Sequence, residues 1–236
     1  MERAEGGLKP LTVKSLLQAY GVTDPAEIDT FVSLARQASK AGWWHSYDDV
    51  LPPWFKVAVG LEESASLIRA YEPQVVPGLL QTGDYARAVT AASFPGAAEA
   101  ETERRVALRL ARQKLLTRPR APGYWVVLEE TVLRRPVGGG HVMRAQIERL
   151  IDAAALPDVT IQVIPFAAGW HPALYGMFNL FRFPDSDLPD IVYCEGLTSA
   201  SYLDKPRETA RYTEALDRVC AQAASPGRPS PSCATS

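Results

Sequence analysis

Hydrophobic residues early in the chain recur three and four positions apart, the spacing that lines one face of a helix. Leu11 to Tyr20 reads as a short helix stopped by Gly21, and Asp24-Pro25-Ala26-Glu27 supplies an N-cap, a first-turn proline and a capping-box carboxylate. Ile28, Phe31, Val32, Ala35 and Ala38 carry a second helix to Gly42. Pro52-Pro53-Trp54 opens a third over 54–70, with Phe55, Ala58, Val59, Glu62, Ala65 and Ile68 on one broad face. Glu62 on that face reads as a paired structural carboxylate.

Helical spacing returns over Gly83 to Ala92 and over 99–117, where Val106, Leu110 and Leu115 point inward with Ala107 and Ala111 alongside. Arg104, Arg105, Arg109, Arg112 and Lys114 occupy the remaining faces, with Glu99, Glu101 and Glu103 at the other end, a charge order that suits the helix dipole. The reading is a solvated helix. A nucleic-acid backbone patch is the alternative, weakened by the few aromatics among the bases.

Tyr124 to Leu128 reads as a strand, Glu129-Glu130 as the turn into a short helical piece, and Pro136 to Gly140 as a linker. The helix from Val142 to Ala155 has a stripe of Met143, Ile147, Leu150, Ile151 and Ala154. Thr160 to Pro165 is a strand, 166–175 a loop, and Met177–Phe183 with Ile191–Glu195 an antiparallel hairpin around the 184–189 turn. A helix from Pro206 to Ala224 closes the domain through Tyr212, Leu216, Val219 and Ala223, and 225–236 is a Pro/Ser-rich disordered tail.

One stretch fits no period. Tyr71-Glu72-Pro73-Gln74-Val75-Val76-Pro77-Gly78-Leu79-Leu80-Gln81-Thr82 is mostly apolar, yet its prolines fix two φ angles and remove two donors, so no helix or central strand runs through it. Gly78 after Pro77 reads as a tight turn with positive φ. An apolar segment without a ladder must satisfy its backbone through side chains. Glu72, Gln74 and Gln81 are the candidates, and the segment is expected to thread the interior, where it also lines a cavity.

Composition changes this picture little. With 236 residues, 47% of them apolar, the chain can bury a sizeable core. A net charge of −2 argues against a nucleic-acid binder by bulk electrostatics. No apolar run approaches a membrane span, and no export signal is visible. Cys194, Cys220 and Cys233 show no pairing or metal spacing, which points to the reducing cytoplasm. His45, His141 and His171 are not grouped as metal ligands, so neither metal nor cofactor is expected.

The candidate ligand-binding residues are Trp43, Trp44, Tyr47, Tyr71, Glu72, Gln81, Trp170, His171, Tyr175 and Glu195. Flat amphipathic rings make rigid cavity walls, although Trp43, Trp44 and Tyr47 serve equally as a packing anchor. Glu72, His171 and Glu195 are the catalytic candidates should the chain be an enzyme, because acid–base work needs such a group in a partly dry pocket.

The stretch from Tyr71 to Thr82, with Asp84-Tyr85-Ala86-Arg87-Ala88-Val89 after it, resembles the hallmark of the DUF5753 domain. Gly42-Trp43-Trp44-His45, Glu103 to Gln113, Leu133 to Gly139, Val163 to Phe166 and Tyr193 to Thr198 continue the likeness over roughly 11–220. The resemblance implies the C-terminal part of an actinobacterial XRE-type helix-turn-helix regulator, Scr1-like and antitoxin-type. It implies action with a small molecule or a small DUF397-type partner protein. The DNA-reading helices that precede this domain in the resembling regulators are absent before Met1, so DNA contact is expected only through those missing helices. An alternative is a cofactor-free enzyme, such as a cyclase of secondary metabolism, using the aromatic cavity. A homodimer is left open.

The architecture expected is α+β: a helical appendage over 1–42, then a DUF5753-like domain over 43–224. That domain holds a small, mostly antiparallel sheet covered by long helices on one side.

Overall fold

The computed structural model describes residues 10–25, 28, 32 and 42–224. The chain divides into two compact units, Met1–Ser46 and Tyr47–Ser236. The expected polar start, most of the expected helix between Pro25 and Gly42, and the 225–236 stretch with Cys233 lie outside the described residues.

In the first unit, α1 (Pro10–Ala19) buries Val13. It is followed by Gly21 at φ +80°, the left-handed turn that commonly ends a helix. Further on, the Trp43 and Trp44 rings meet edge to face at 6.1 Å, and Trp44 stacks on His45 at 6.0 Å. A Cβ at Gly42 would sit 2.2 Å from the Trp44 ring, so a side chain there would displace the indole.

The second unit is built on a six-stranded sheet of order β3-β2-β1-β4-β5-β6. Its strands are β1 (Leu67–Glu72), β2 (Gly123–Glu129), β3 (Val159–Ile164), β4 (Phe178–Arg182), β5 (Ile191–Glu195) and β6 (Ala200–Leu203). β1 pairs parallel with β2, and β2 with β3; β1–β4, β4–β5 and β5–β6 are antiparallel. The class is α+β, with a mixed sheet: one half is a parallel β-α-β-α-β run and the other an antiparallel meander.

The helices are α2 (Pro53–Ser64), α3 (Gly83–Ser93), α4 (Glu99–Arg112), α5 (Glu130–Arg134), α6 (Gly140–Ala154) and α7 (Pro206–Gln222). They cover both faces of the sheet, not one. Ile68, Ala70, Val126, Leu128, Phe181 and Tyr193 pack with Ala58, Tyr85, Leu115, Met143 and Leu150 on the first face. Tyr71, Val127, Phe178, Leu180 and Val192 pack with Leu216 and Val219 of α7 on the second. Each fully buried Leu or Val of these two layers contributes roughly 1.5–3 kcal/mol.

The expected helix over 54–70 is therefore two elements. α2 ends at Ser64; Ala65 caps it in extended conformation, and Ile68 belongs to the central strand β1. The neighbours Ser66 N–H to Arg182 O (2.8 Å) and Gly123 N–H to Ser66 O (2.9 Å) start the ladder on both sides. A strand buried on both faces has no polar alternation to betray it, and its Ile68 happened to continue the helical period.

Two helices are also rotated relative to expectation. In α6 the buried positions are Met143, Gln146, Leu150 and Ala153, while Ile147 and Ile151 are exposed. Gln146 is inside because its amide holds the irregular segment described below. In α4 and the turn after it, Val106, Leu108, Arg112 and Leu115 are buried, and Leu110 is exposed.

Candidate functional site

β1 stops at Glu72 because Pro73 cannot donate to the ladder. The chain nevertheless stays inside: Val76, Leu79, Leu80 and Gln81 are all buried. Amides from three directions satisfy its backbone. Gln81 donates Nε2–H to Val76 O at 2.6 Å, and the Tyr85 hydroxyl accepts from Val76 N at 3.1 Å. Gln146 donates to Leu80 O at 2.8 Å and accepts from Thr82 N at 2.7 Å. Gln113 donates to Gly78 O and Gln81 O at 3.1 and 2.7 Å. Of the expected ties only Gln81 is one; Gln74 is exposed and Glu72 makes no such bond.

Gly78 is not a positive-φ turn. It begins a single 3-10 turn, Gly78–Leu80, and is small for another reason: a Cβ there would lie 3.1 Å from Arg112 Nη1. The guanidinium of Arg112 needs that space.

Between this segment, the first sheet face, α2 and α4 lies a cavity of about 230 Å³. It sits at the carboxyl end of β1, where the strand order reverses between β1 and β4, the place open α/β sheets leave a crevice. Phe55, Val76, Leu79 and Leu108 supply apolar wall; Glu72, Arg109, Asn179, Tyr193 and Glu195 supply polar groups.

Of the four arginines of α4, Arg104 is on an exposed face with Asp49, while the other three are not a solvated face. Arg105, Arg109 and Arg112 follow each other at helical spacing and all line the cavity. Arg112 is buried and makes a two-pronged pair with Glu62 at 3.0 and 2.6 Å, with the Phe55 ring 4.6 Å beneath it. Glu62 is thus the paired carboxylate its helix position suggested. Arg105 bonds Glu101 at 2.7 Å and Val50 O at 2.8 Å. Arg109 differs. Its Nη1 donates to Gln81 Oε1 at 2.8 Å, and among the described residues it has no carboxylate partner. Burial, then the like charge of Arg112, lowers its pKa to about 10, which leaves it cationic at neutral pH.

Glu72 faces the same space. It is 5% exposed, with no side-chain hydrogen bond among the described residues. Burial, then the Glu195 carboxylate, raises its pKa to about 8 against the pull of Arg112, so it is mostly a neutral acid at pH 7. The Tyr193 hydroxyl, also on the lining, is buried and makes no close hydrogen bond; burial, then the neighbouring Glu195 carboxylate, raises its pKa. A half-buried guanidinium with no carboxylate, a buried carboxyl with no hydrogen bond and a buried phenol are unusual neighbours in a finished core.

Residues 55–229 match the domain of unknown function DUF5753. The chain belongs to the DUF5753 family. No curated protein and no solved structure matches it. The polar cavity residues all fall inside the DUF5753 region, whereas Trp43, Trp44 and Tyr47 precede it.

Of the sequence candidates, the DUF5753 cavity takes in Glu72, Gln81 and Glu195, the last exposed at the rim. Tyr47 does not line it; its ring lies 4.7 Å under Arg104. Trp43 and Trp44 belong to the first unit. Tyr71 and His171 meet on the opposite sheet face, where the Tyr71 hydroxyl donates to Glu129 Oε1 at 2.8 Å and His171 Nε2 approaches the same oxygen at 2.8 Å. Trp170 and Tyr175 are 70% and 91% exposed. Tyr175 borders a second groove of about 650 Å³ against α7, which shares Met177 and Glu195 with the cavity. Three of the ten candidates therefore share the cavity, and the other seven are spread over several places.

Arg109, Asn179 and Tyr193 were missed. The signal for Arg109 was present: Arg105, Arg109 and Arg112 share one helix face with buried Leu108 between them. Asn179 and Tyr193 sit opposite each other across β4 and β5, a pairing no single sequence prints. Among the described residues no group of three or more His, Cys, Asp or Glu is placed to hold a metal ion. No described helix is long and apolar enough to cross a membrane.

Proposed function

We propose that the DUF5753 unit is a small-molecule-binding domain whose ligand occupies the cavity at the end of β1. The observation that carries this reading is the set of polar groups turned into it without a matching charge or hydrogen bond: Arg109 with no carboxylate, and the buried Glu72 carboxyl and Tyr193 hydroxyl. A cavity of about 230 Å³ suits a ligand of about ten heavy atoms, given that a dry cavity of about 150 Å³ holds benzene. Because Gln81 bonds both Arg109 and Val76, an occupant drawing on Arg109 pulls on the buried segment, a route from ligand to backbone. We read the domain as the sensing part of a helix-turn-helix regulator of the XRE, antitoxin-like type, working in the cytoplasm with a ligand or a DUF397-type partner, as the resemblance implies.

One observation favours a second reading, a cofactor-free enzyme: a buried carboxyl whose pKa lies near 8 is suited to general acid–base work. Glu72 would be its acid or base.

The test is a thermal-shift assay with a small-molecule extract of producing cells. Binding at a hundred times Kd stabilises by about 2.7 kcal/mol, which raises Tm by several degrees. Leu79→Trp, filling the cavity, and Arg109→Met should each abolish the shift. An unchanged shift in both variants removes the cavity from the mechanism.

A further inference from the structure

Resting on that reading, the nature of the ligand follows from the charges it must meet. Arg105 and Arg112 are already neutralised by Glu101 and Glu62. What remains on the lining is one cation, Arg109, and two carboxyl groups, Glu72 and Glu195, all without ion pairs among the described residues. A purely anionic ligand would satisfy Arg109 but meet the Glu195 carboxylate at the rim and leave the Glu72 carboxyl without a partner. A purely cationic one would suit the carboxyl groups but set a like charge beside Arg109 in a site half withdrawn from water, the costly arrangement.

We infer that the cavity takes a small zwitterion of the free amino-acid class, its carboxylate on Arg109, its ammonium between Glu72 and Glu195, and its side chain against Phe55 and Leu108. The guanidinium is suited to this: Gln81 holds Nη1 in place, leaving the rest of the fork for a planar carboxylate. Asn179 and the Tyr193 hydroxyl, the latter beside Glu195, offer additional hydrogen bonds at the ammonium side on the same sheet face. Glu72 then has a second role. It is mostly protonated in the empty cavity at pH 7, and an ammonium beside it favours the carboxylate, so binding expels a proton to solvent.

The experiment is calorimetric titration of the full chain at pH 7 with the proteinogenic amino acids. The tightest binder is then compared with its decarboxylated amine and its deaminated acid. The expected result is that at least one neutral amino acid binds and that both truncated analogues bind at least 30-fold more weakly. Arg109→Met should weaken the amino acid at least tenfold while leaving the amine within about twofold. Repeating the titration in two buffers of different ionisation enthalpy should show more than half a proton released per ligand, falling to near zero in Glu72→Gln, a readout that a merely structural Glu72 would not move. The inference is overturned if no amino acid binds, if the acid or the amine binds as tightly as the parent, or if no proton is released. A thermal shift from the cell extract that Leu79→Trp abolishes would, in those cases, leave the cavity reading standing while the zwitterion falls.

Discussion

Tyr71 and Glu72 are adjacent in the chain and point to opposite faces of the central strand, into polar sites finished to different degrees. On the α7 side, Tyr71, Glu129 and His171 share one carboxylate oxygen, and the ring of Tyr71 lies 5.5 Å from that of His171. On the cavity side, Glu72 and Tyr193 are buried without a close hydrogen bond, and the half-buried Arg109 has Gln81 but no carboxylate. The first arrangement ties the 166–175 loop to the sheet and is complete apart from the His171 Nδ1, which is buried without a partner. The second is the one our proposal completes with a ligand. The difference separates a polar cluster that stabilises from one held open at a cost in stability, the pattern expected of binding sites.

The comparison breaks most sharply at Glu129. Glu129→Ala leaves the Tyr71 hydroxyl and a His171 nitrogen buried without their acceptor, and should cost about 3–5 kcal/mol in urea unfolding. Glu129→Gln, which keeps a carbonyl oxygen, should recover roughly half of that. A loss below about 1 kcal/mol for the alanine variant would show that the cluster is not structural. Next is Gln146→Leu, which keeps the volume but removes both bonds to the Leu80–Thr82 backbone. About 2–3 kcal/mol is expected, together with faster amide exchange at Thr82, whose N–H loses its acceptor.

Gln146 also shows where sequence reasoning stops. Its helix was legible from periodicity, but the buried stripe was drawn through Ile147 and Ile151, because a glutamine is assigned to water unless its partner is known. The partner is the backbone of a segment 64 to 66 residues away in sequence. The same holds for Arg112, whose carboxylate lies on α2, 50 residues earlier. The irregular segment itself was legible from Pro73 and Pro77, since proline acts locally through φ and a missing donor. β1 and the four-residue edge strand β6 were not: one is too buried to alternate and the other too short to show a period. In the site, Glu195 was visible as a strand-end carboxylate and Glu72 as a polar residue of the irregular segment, but side chains on opposite faces of a sheet cannot be told from those that share one without the pairing.

Glu72 gives a smaller effect with a defined sign. Its folded pKa, raised to about 8, lies above the ordinary value of 4.5, so the folded state holds the proton more tightly than the unfolded chain does. Its contribution is therefore fully present below pH 4.5 and is lost as pH rises to about 8, with a slope approaching about 1.4 kcal/mol per pH unit. Glu72→Gln, neutral throughout, should flatten the stability profile over that window and make the variant more stable than the parent at pH 8. A profile unchanged in shape would mean that Glu72 is ionised and partnered in the folded protein. The saturating ligand should flatten the wild-type profile as well, because it stabilises the carboxylate.

The smallest effect is expected from the two aromatics that the sequence placed in the site and the fold places in water. Trp170→Ala and Tyr175→Ala remove side chains that bury little, so each should change stability by less than about 0.5 kcal/mol. Neither touches the cavity lining, so ligand affinity should stay within about twofold, under ~0.4 kcal/mol. His171, between them, is the contrasting position: it points inward to Glu129 while its neighbours point out. If Trp170→Ala or Tyr175→Ala weakens ligand binding tenfold with stability unchanged, the ligand reaches the outer loop. The binding site would then have to be relocated to the α7 side of the sheet, with the Tyr71–Glu129–His171 cluster beneath it and the cavity at Glu72 left without a role.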